Sequence, residues 1–176
     1  MERVKIRLDG GFMPTKGSVY AAAYDLYCPD DFVLKAGRNT IDLGFSMELP
    51  VWWKANIRPR SGFASKGMLV TRVIRFLDGS SRSDDVRIDA DVLLGLVDCD
   101  YRGHVGVTVK VNGLPSVNCI DRHDLSRSSE ILYILESGTR FAQMEICRGH
   151  ETELVEVREL DMSNDRGGGF GHTGTK

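Results

Sequence analysis

The sequence lacks the features that mark several other classes of protein. Its 176 residues contain only four cysteines, which are scattered and show neither a C-x-x-C pair nor the Cys/His spacing of a structural zinc site. No apolar run approaches the roughly 20 residues that span a bilayer, and residues 1–5 alternate charged with apolar side chains, unlike a signal peptide. A formal net charge of −2 provides no broad positive field for binding duplex DNA. We therefore expect buried free thiols, no membrane partner, no nucleic-acid partner and a cytoplasmic location, in a cell or in a virus-infected host.

What is present predicts an all-β domain. The 41% hydrophobic content is enough for a real core, and the length suits one domain with an appended tail. Apolar residues alternate with polar ones from Val4 to Leu8 and from Val105 to Val111, as in half-buried strands. Many short strands without long amphipathic helices indicate a sandwich or barrel-like fold. Further β-rich runs lie at residues 39–49, 52–58, 69–77, 131–135, 140–147 and 152–158.

One short helix is predicted near Ser61. Serine is a favoured N-cap, and Gly67 is suited to end a helix after barely two turns. The free backbone N–H groups at the start of such a helix attract phosphate.

Three segments differ from the rest in composition. Residues 78–91 and 113–130 are dense in charged and turn-forming residues, which predicts two inserted surface loops, with a protein-binding surface as the alternative. Residues 166–176 contain five glycines and almost no side chains that could pack, which predicts flexibility. We therefore divide the chain into a β domain over residues 1–160, which contains both insertions, and a flexible arm over residues 161–176.

Five short segments occur in order along the chain. They are AAYDL at residues 22–26, RPRSGFA at 58–64, GLVDCDYRG at 95–103, GTRFAQ at 138–143 and RGGGFGHTG at 166–174. Together they resemble the five motifs of the homotrimeric dUTPases, which convert dUTP to dUMP and pyrophosphate. The resemblance covers residues 22–174 outside the two insertions. It implies a jelly-roll-like fold of the β-clip type, and a homotrimer whose active sites each take residues from three chains.

The resemblance implies that Asp98 is the catalytic base. Hydrolysis of a triphosphate needs a water placed in line with the leaving group, and a carboxylate can orient that water and accept its proton. Asp98 and Asp100 alternate in an expected strand, so only one of them can face the substrate. Taken alone, both would be ordinary turn residues. In the family pattern Asp98 activates the water, and Asp100 is structural, with an arginine as a plausible partner.

The same resemblance assigns the groups that bind the base and the sugar. Tyr101 packs under the sugar and excludes a ribose 2′-hydroxyl, although alone it would pass for a core tyrosine. A β-hairpin over about residues 95–107, including Leu96 and Val97, reads uracil through backbone groups. Phe170 of the arm stacks over the base.

The remaining assignments concern the phosphates and the metal. At the start of the helix, donors come from Arg60 and Ser61, and Gly62 lets a phosphate approach the backbone closely. The amide of Gln143 donates to a phosphate oxygen. Gly138 and Arg140 serve as a turn and a tethering ion pair. Asp25 contacts Mg²⁺ indirectly through water, since Mg²⁺ keeps several waters when phosphates bind it. From the arm, Arg166 clamps the γ-phosphate, joined by Gly171, His172 and Thr173.

Two departures and two rival functions complete the predictions. Ala23 and His172 stand where relatives often have glycine and serine, and a histidine could make closure of the arm depend on pH. A dCTP deaminase is the nearest enzymatic rival, but that family uses a glutamate in place of the Asp98–Tyr101 pattern. The second rival is a regulator that binds a partner protein through the insertions, which does not exclude hydrolysis.

Overall fold

The structure is a computed structural model that describes residues 2–114 and 128–165. Eleven strands and one short helix are described. They are β1 (Lys5–Leu8), β2 (Tyr24–Tyr27), β3 (Phe32–Val33), β4 (Gly37–Glu48), β5 (Trp53–Pro59), α1 (Ser61–Lys66), β6 (Met68–Phe76), β7 (Ser81–Val92), β8 (Gly95–Val97), β9 (His104–Gly113), β10 (Ser128–Leu135) and β11 (Arg140–Arg148).

The strands form two antiparallel sheets around a shared core. The larger sheet has the order β1-β4-β9-β7-β6-β10-β3, and the smaller has the order β2-β11-β5-β8. One cluster of buried apolar side chains takes members from both sheets, such as Phe45 and Val107 from the larger and Ala55 and Met144 from the smaller. This architecture confirms the predicted all-β, jelly-roll-like fold with one short helix.

The alternation read from the sequence places the core correctly. Val105, Val107, Val109 and Val111 of β9 are each at most 2% exposed, while the residues between them lie on the outer face. Burying an aliphatic side chain of this size contributes roughly 1.5–3 kcal/mol. In the larger sheet β9 lies between β4 and β7.

The prediction of a surface loop over residues 78–91 was wrong. Most of this segment is β7, which pairs with β6 from Met68↔Ile88 to Arg75↔Ser81 and with β9 on its other side. Its inward side chains are Ile88, Ala90 and Val92, all buried. The high charge of the segment belongs to its outer face, where Asp89 and Asp91 alternate with those core residues. The second predicted loop, 113–130, begins and ends in strands, and its residues 115–127 lie outside the described residues.

A strand over residues 152–158 was also predicted and is absent from the structure as described. Residues 151–165 form no helix or strand, and their side chains are exposed. Leu154 is 98% exposed, Val155 68% and Val157 55%, so these apolar side chains are not part of the core. Its alternation of apolar and acidic residues is typical of a strand, but no described strand pairs with this segment.

Cysteine chemistry agrees with a structural role. Cys28, Cys99 and Cys147 are free thiols, of which Cys28 is fully buried and the other two are half-buried. Burial raises the pKa of the Cys28 thiol to about 11, which keeps it protonated and unreactive near neutral pH. Within the described residues, no helix is long and apolar enough to cross a membrane.

Candidate active site

Three of the five sequence segments meet in one cleft of about 340 Å³. Its walls include Asp25 from β2, Arg60 and Gly62 from the start of α1, and Arg140 and Gln143 from β11. The sheet order explains this meeting, because β11 lies between β2 and β5, and α1 follows β5 directly. Gln143 accordingly pairs with Asp25 on one side.

One carboxylate at the centre of the cleft holds two guanidinium groups. Arg60 donates from Nε to Asp25 Oδ1 at 2.8 Å, and Arg140 donates from Nη1 to Asp25 Oδ2 at 3.3 Å. Arg60 also donates from Nη1 to the Arg140 carbonyl at 3.1 Å. The Asp25 side chain is only 12% exposed. Two cations around one anion leave this group with a net positive charge, which suits an anionic ligand, and the predicted tethering role of Arg140 is confirmed.

Both Arg60 and Gln143 keep donors for a ligand. Among the described residues Arg60 uses two of its five N–H groups in bonds to protein, and Gln143 donates one Nε2 hydrogen to the Pro59 carbonyl at 3.0 Å. The space above the Cα atom of Gly62 is open, since a methyl group there would meet no atom within 4 Å. A ligand can therefore approach the backbone at the start of α1 closely.

The helix itself confirms one prediction and corrects another. It spans Ser61–Lys66 as expected, but its N-cap is Arg60, which has extended backbone angles and makes no side-chain capping bond. Ser61 is therefore the first helical residue and not the N-cap. Gly67 ends the helix with a φ of 76°, and a Cβ atom there would lie 2.7 Å from the Ile88 carbonyl oxygen. Only glycine satisfies both conditions.

Asp98 lies in an exposed turn immediately after β8. Its carbonyl accepts a hydrogen bond from the Tyr101 N–H at 3.2 Å, which closes the turn, and its side chain projects into solvent. The expectation that Asp98 and Asp100 alternate in a strand was wrong, because β8 ends at Val97. Asp100 is also exposed, and no arginine pairs with its side chain within the described residues.

Tyr101 is fixed by its hydroxyl while its ring stays accessible. The residue is 46% exposed, and its hydroxyl donates to the carbonyl of His104 at 2.9 Å. A Cβ atom at Gly103 would lie 2.4 Å from the Tyr101 hydroxyl oxygen, so this ring position requires glycine. Arg102 supports the same turn by donating to the carbonyls of Cys99 and Tyr101 at 2.6 and 2.9 Å.

The predicted hairpin over residues 95–107 is instead a crossing between the two sheets. β8 pairs with β5 in the smaller sheet, whereas β9 pairs with β4 and β7 in the larger one. A cavity of about 280 Å³ lies here and includes Gly95 and Gly106 in its lining. Leu96 is 58% exposed, whereas Val97 is buried in the core, with only 8% of the whole residue exposed.

The described part of one chain does not gather all the predicted groups. The cleft around Asp25 is not lined by Asp98 or Tyr101, which lie on the turn between β8 and β9. The predicted arm residues lie outside the described residues; they are Arg166, Phe170, Gly171, His172 and Thr173. Sequence reasoning also missed the cluster of His104 with Asp9 and Asp42, which are far apart along the chain and carry no spacing signal.

Three comparisons place these features among known proteins. The family model described as dUTPase matches residues 10–78. The deoxyuridine 5′-triphosphate nucleotidohydrolase of Variola virus is 34% identical over 93% of this chain and 86% of its own length. The enzymes of the same name from Yarrowia lipolytica and Syntrophotalea carbinolica are 33% and 30% identical, over 81% and 95% of their lengths.

Solved structures share the fold. A variant dUTPase of Staphylococcus bacteriophage 80alpha with dUpNHpp has a TM-score of 0.72 and 21% identity, over 99% of each chain. A dUTPase from phage phi11 of S. aureus, solved to show the coordination of a structural Mg(II) ion, has a TM-score of 0.67 and 21% identity, over 91% of this chain and 99% of its own.

Proposed function

The chain belongs to the dUTPase family and is an enzyme that hydrolyses dUTP to dUMP, and we propose here which of its residues perform each step. The observation that carries the proposal is the cleft in which Arg60 and Arg140 share the Asp25 carboxylate, which leaves a net positive charge and unused Arg60 donors. The triphosphate of dUTP lies in this cleft and accepts hydrogen bonds from Arg60, Ser61 and Gln143. Gly62 allows its backbone N–H to approach a phosphate oxygen.

Asp98 acts on the water that attacks the α-phosphorus. The carboxylate orients the water and accepts its proton while the new O–P bond forms. The bond from the α-phosphorus to the bridging oxygen breaks, and pyrophosphate leaves with the electron pair. An exposed carboxylate on a turn suits this role, because its oxygens are not occupied by a described partner.

The base and sugar sit beside the crossing between β8 and β9. The exposed ring of Tyr101 lies under the deoxyribose, where it leaves no space for a 2′-hydroxyl. The uracil edge pairs with backbone groups near Leu96 and Val97, of which Leu96 is exposed. Phe170 stacks over the base when the arm closes, and Arg166, Gly171, His172 and Thr173 bind the phosphates from the arm.

Mg²⁺ would be held mainly by the phosphates of the nucleotide. No group of three or more His, Cys, Asp or Glu side chains within the described ranges could hold a cation, and both oxygens of Asp25 already accept from arginines. These residues do not fit an ion bound by the protein alone. Mg²⁺ bound to phosphate oxygens and water would reduce the charge on the triphosphate, and a water-mediated contact to Asp25 would have to share the carboxylate with both guanidinium groups. Equal pyrophosphate release in Mg²⁺ and in excess EDTA would contradict the Mg²⁺ requirement.

The separation of Asp98 from the phosphate cleft supports a shared site. We propose a homotrimer in which one chain provides the cleft, a second provides Asp98 and Tyr101, and a third provides the arm. The apolar side chains of residues 154–162 support this assembly, since each of them is more than half exposed in the described part of the chain. Sedimentation at the mass of a single chain would exclude it.

Hydrolysis in ¹⁸O-labelled water tests the position of attack. Attack at the α-phosphorus places the label in dUMP, because the water oxygen stays bonded to that phosphorus. Attack at the β-phosphorus would place the label in pyrophosphate instead. Mass spectrometry of the two products distinguishes these results after a single turnover, and label in pyrophosphate would contradict the mechanism.

The cellular role follows from the reaction. Hydrolysis lowers the concentration of dUTP and supplies dUMP for thymidylate synthesis, and we place the enzyme in the cytoplasm. A fractionation experiment that finds the activity in another compartment would contradict this location.

A regulatory protein partner remains a prediction. The turn between β6 and β7 presents Leu77, which is 74% exposed. Deleting residues 78–91 cannot test this surface, because it would remove β7 from between β6 and β9. Substitution of Leu77 by serine is the suitable variant, and unchanged capture of a partner by it would argue against this turn as the contact.

A further inference from the structure

A histidine outside the predicted site is held between two carboxylates. His104 is the first residue of β9; its Nδ1 lies 2.9 Å from Asp42 Oδ2, and its Nε2 lies 3.1 Å from Asp9 Oδ2. A neutral imidazole has one N–H and can donate to only one of these carboxylates, whereas an imidazolium donates to both. The full bridge from β9 to β4 and to the segment after β1 therefore needs a protonated His104.

The two carboxylates are themselves fixed. Arg7 donates from Nε to Asp9 Oδ2 at 3.0 Å, and the Gly44 N–H donates to Asp42 Oδ1 at 2.9 Å. The backbones are joined as well, because the N–H of Asp9 donates to the Gly44 carbonyl at 2.7 Å. The imidazole thus meets two acceptors whose positions do not depend on it.

His104 also holds Tyr101 through its backbone. The carbonyl of His104 accepts the hydrogen bond of the Tyr101 hydroxyl at 2.9 Å. Because the Tyr101 ring is 46% exposed, the core does not fix it, and this bond is the hydrogen bond that sets the position of its hydroxyl. A shift of the first residue of β9 would therefore move the ring that the proposed function places under the sugar.

The electrostatics agree with this geometry. The hydrogen bond to Asp42, then that to Asp9, raises the pKa of His104 above its ordinary value of 6.5. The Gly44 N–H lowers the pKa of Asp42, and Arg7 lowers that of Asp9, so both stay ionised near neutral pH. The charged and titratable groups that face His104 or its partners are Arg7, Asp9, Asp42 and Tyr101. Since the pKa of His104 is raised, the bridge is complete below that pKa and is lost as the pH rises through it.

We propose that His104 is a positioning residue for sugar selection, which holds Tyr101 in place while the His104 imidazole is protonated. Discrimination of dUTP from UTP therefore weakens as the pH rises. This inference rests on the proposed placement of Tyr101 under the deoxyribose. It assigns a function to a residue that does not itself touch the substrate.

The experiment measures the ratio of kcat/KM for dUTP to kcat/KM for UTP at about pH 6, below the ordinary histidine pKa of 6.5, and at about pH 9, well above it. Titration of the phosphates affects both nucleotides and largely cancels in the ratio. We expect the wild-type ratio to fall roughly two- to fivefold, the range that exposed ion pairs contribute. A wild-type ratio that stays constant would overturn the proposal.

Two variants of His104 separate charge from shape. His104→Gln is neutral at every pH, so its ratio should be low and constant. His104→Arg is charged throughout, so its ratio should be high and constant. His150→Gln, an exposed histidine after β11, is the matched control and should follow the wild type. A ratio for His104→Gln that follows the wild type would also overturn the proposal, and thermal unfolding of each variant confirms that it folds.

A second measurement distinguishes failure of this inference from failure of the proposed function. NMR titration of the imidazole in wild type and in Asp42→Asn needs no activity, and the variant should titrate at lower pH. If the His104 midpoint is lower in Asp42→Asn than in wild type but the enzyme shows no preference for dUTP at any pH, Tyr101 does not contact the sugar. If the His104 midpoint is the same in both proteins but the preference for dUTP is strong, the bridge is wrong while the function stands.

Discussion

Replacing Asp98 with asparagine is expected to lower kcat for dUTP hydrolysis by about 10²- to 10⁴-fold, the contribution typical of a general base. Asparagine keeps the shape of the side chain but cannot accept the proton of the attacking water. Because Asp98 is exposed and its side chain bonds to no described residue, the fold should be unchanged. KM should change little, since the proposed phosphate contacts lie in the cleft around Asp25, which Asp98 does not line. Steady-state pyrophosphate release measures both constants.

The neighbouring aspartate provides the matched control. Asp100 lies two residues further along the same turn, is also exposed, and has no described side-chain partner. Asp100→Asn removes the same charge from the same turn without removing the proposed base, so its kcat should stay within a few-fold of wild type. Equal losses of kcat in the two variants would contradict the assignment of Asp98, because hydrolysis would then depend on the net charge of the turn and not on the position of one carboxylate.

Replacing Tyr101 with alanine is expected to reduce the preference for dUTP over UTP by roughly 10- to 100-fold, the range by which a pocket discriminates through shape. The loss arises because the space under the sugar would then admit a 2′-hydroxyl. Most of the change should appear as improved use of UTP. Ratios of kcat/KM for the two nucleotides measure it directly.

Tyr101→Phe isolates the contribution of the ring from that of the hydroxyl. Phenylalanine keeps the aromatic surface and loses only the hydrogen bond to the His104 carbonyl. Its preference for dUTP should therefore stay much closer to wild type than that of Tyr101→Ala. If alanine left the preference intact, Tyr101 would not be the residue that reads the sugar.

The strands that carry the core could be predicted from the sequence because alternation is a direct physical signal. Val105 to Val111 alternate without interruption, and each of these valines is buried. The same rule applied to β7 would have succeeded, since Val86, Ile88, Ala90 and Val92 also alternate. The charged residues between them made the segment resemble a loop, although charges on the outer face of a sheet are compatible with a strand.

Other features depend on contacts that local sequence does not encode. The alternation at residues 152–158 lacks a partner strand in the described structure, and pairing is what makes such a segment a strand. The separation of β8 and β9 into different sheets depends on β5 and β4, which are distant in sequence. A turn flanked by two strands is commonly a hairpin, which explains the wrong prediction.

The candidate site was predicted residue by residue from motifs, and the structure brings part of it together. Asp25, Arg60, Gly62 and Gln143 line one cleft, although their segments are far apart along the chain. The motifs did not reveal that Arg60 binds Asp25, because that pairing depends on β11 lying between β2 and β5. That Asp98 and the arm meet this cleft stays a prediction.

The most direct test of the account is pyrophosphate release by the wild-type protein from dUTP, with dCTP, dTTP and UTP as separate controls. The account predicts rapid release from dUTP and release at least an order of magnitude slower from each of the others, because each mismatch leaves polar groups unpaired or meets a steric block. Comparable release from all four nucleotides would contradict the assignment of the base and sugar contacts. Release of ammonia from dCTP would show instead that the chain performs the deaminase reaction.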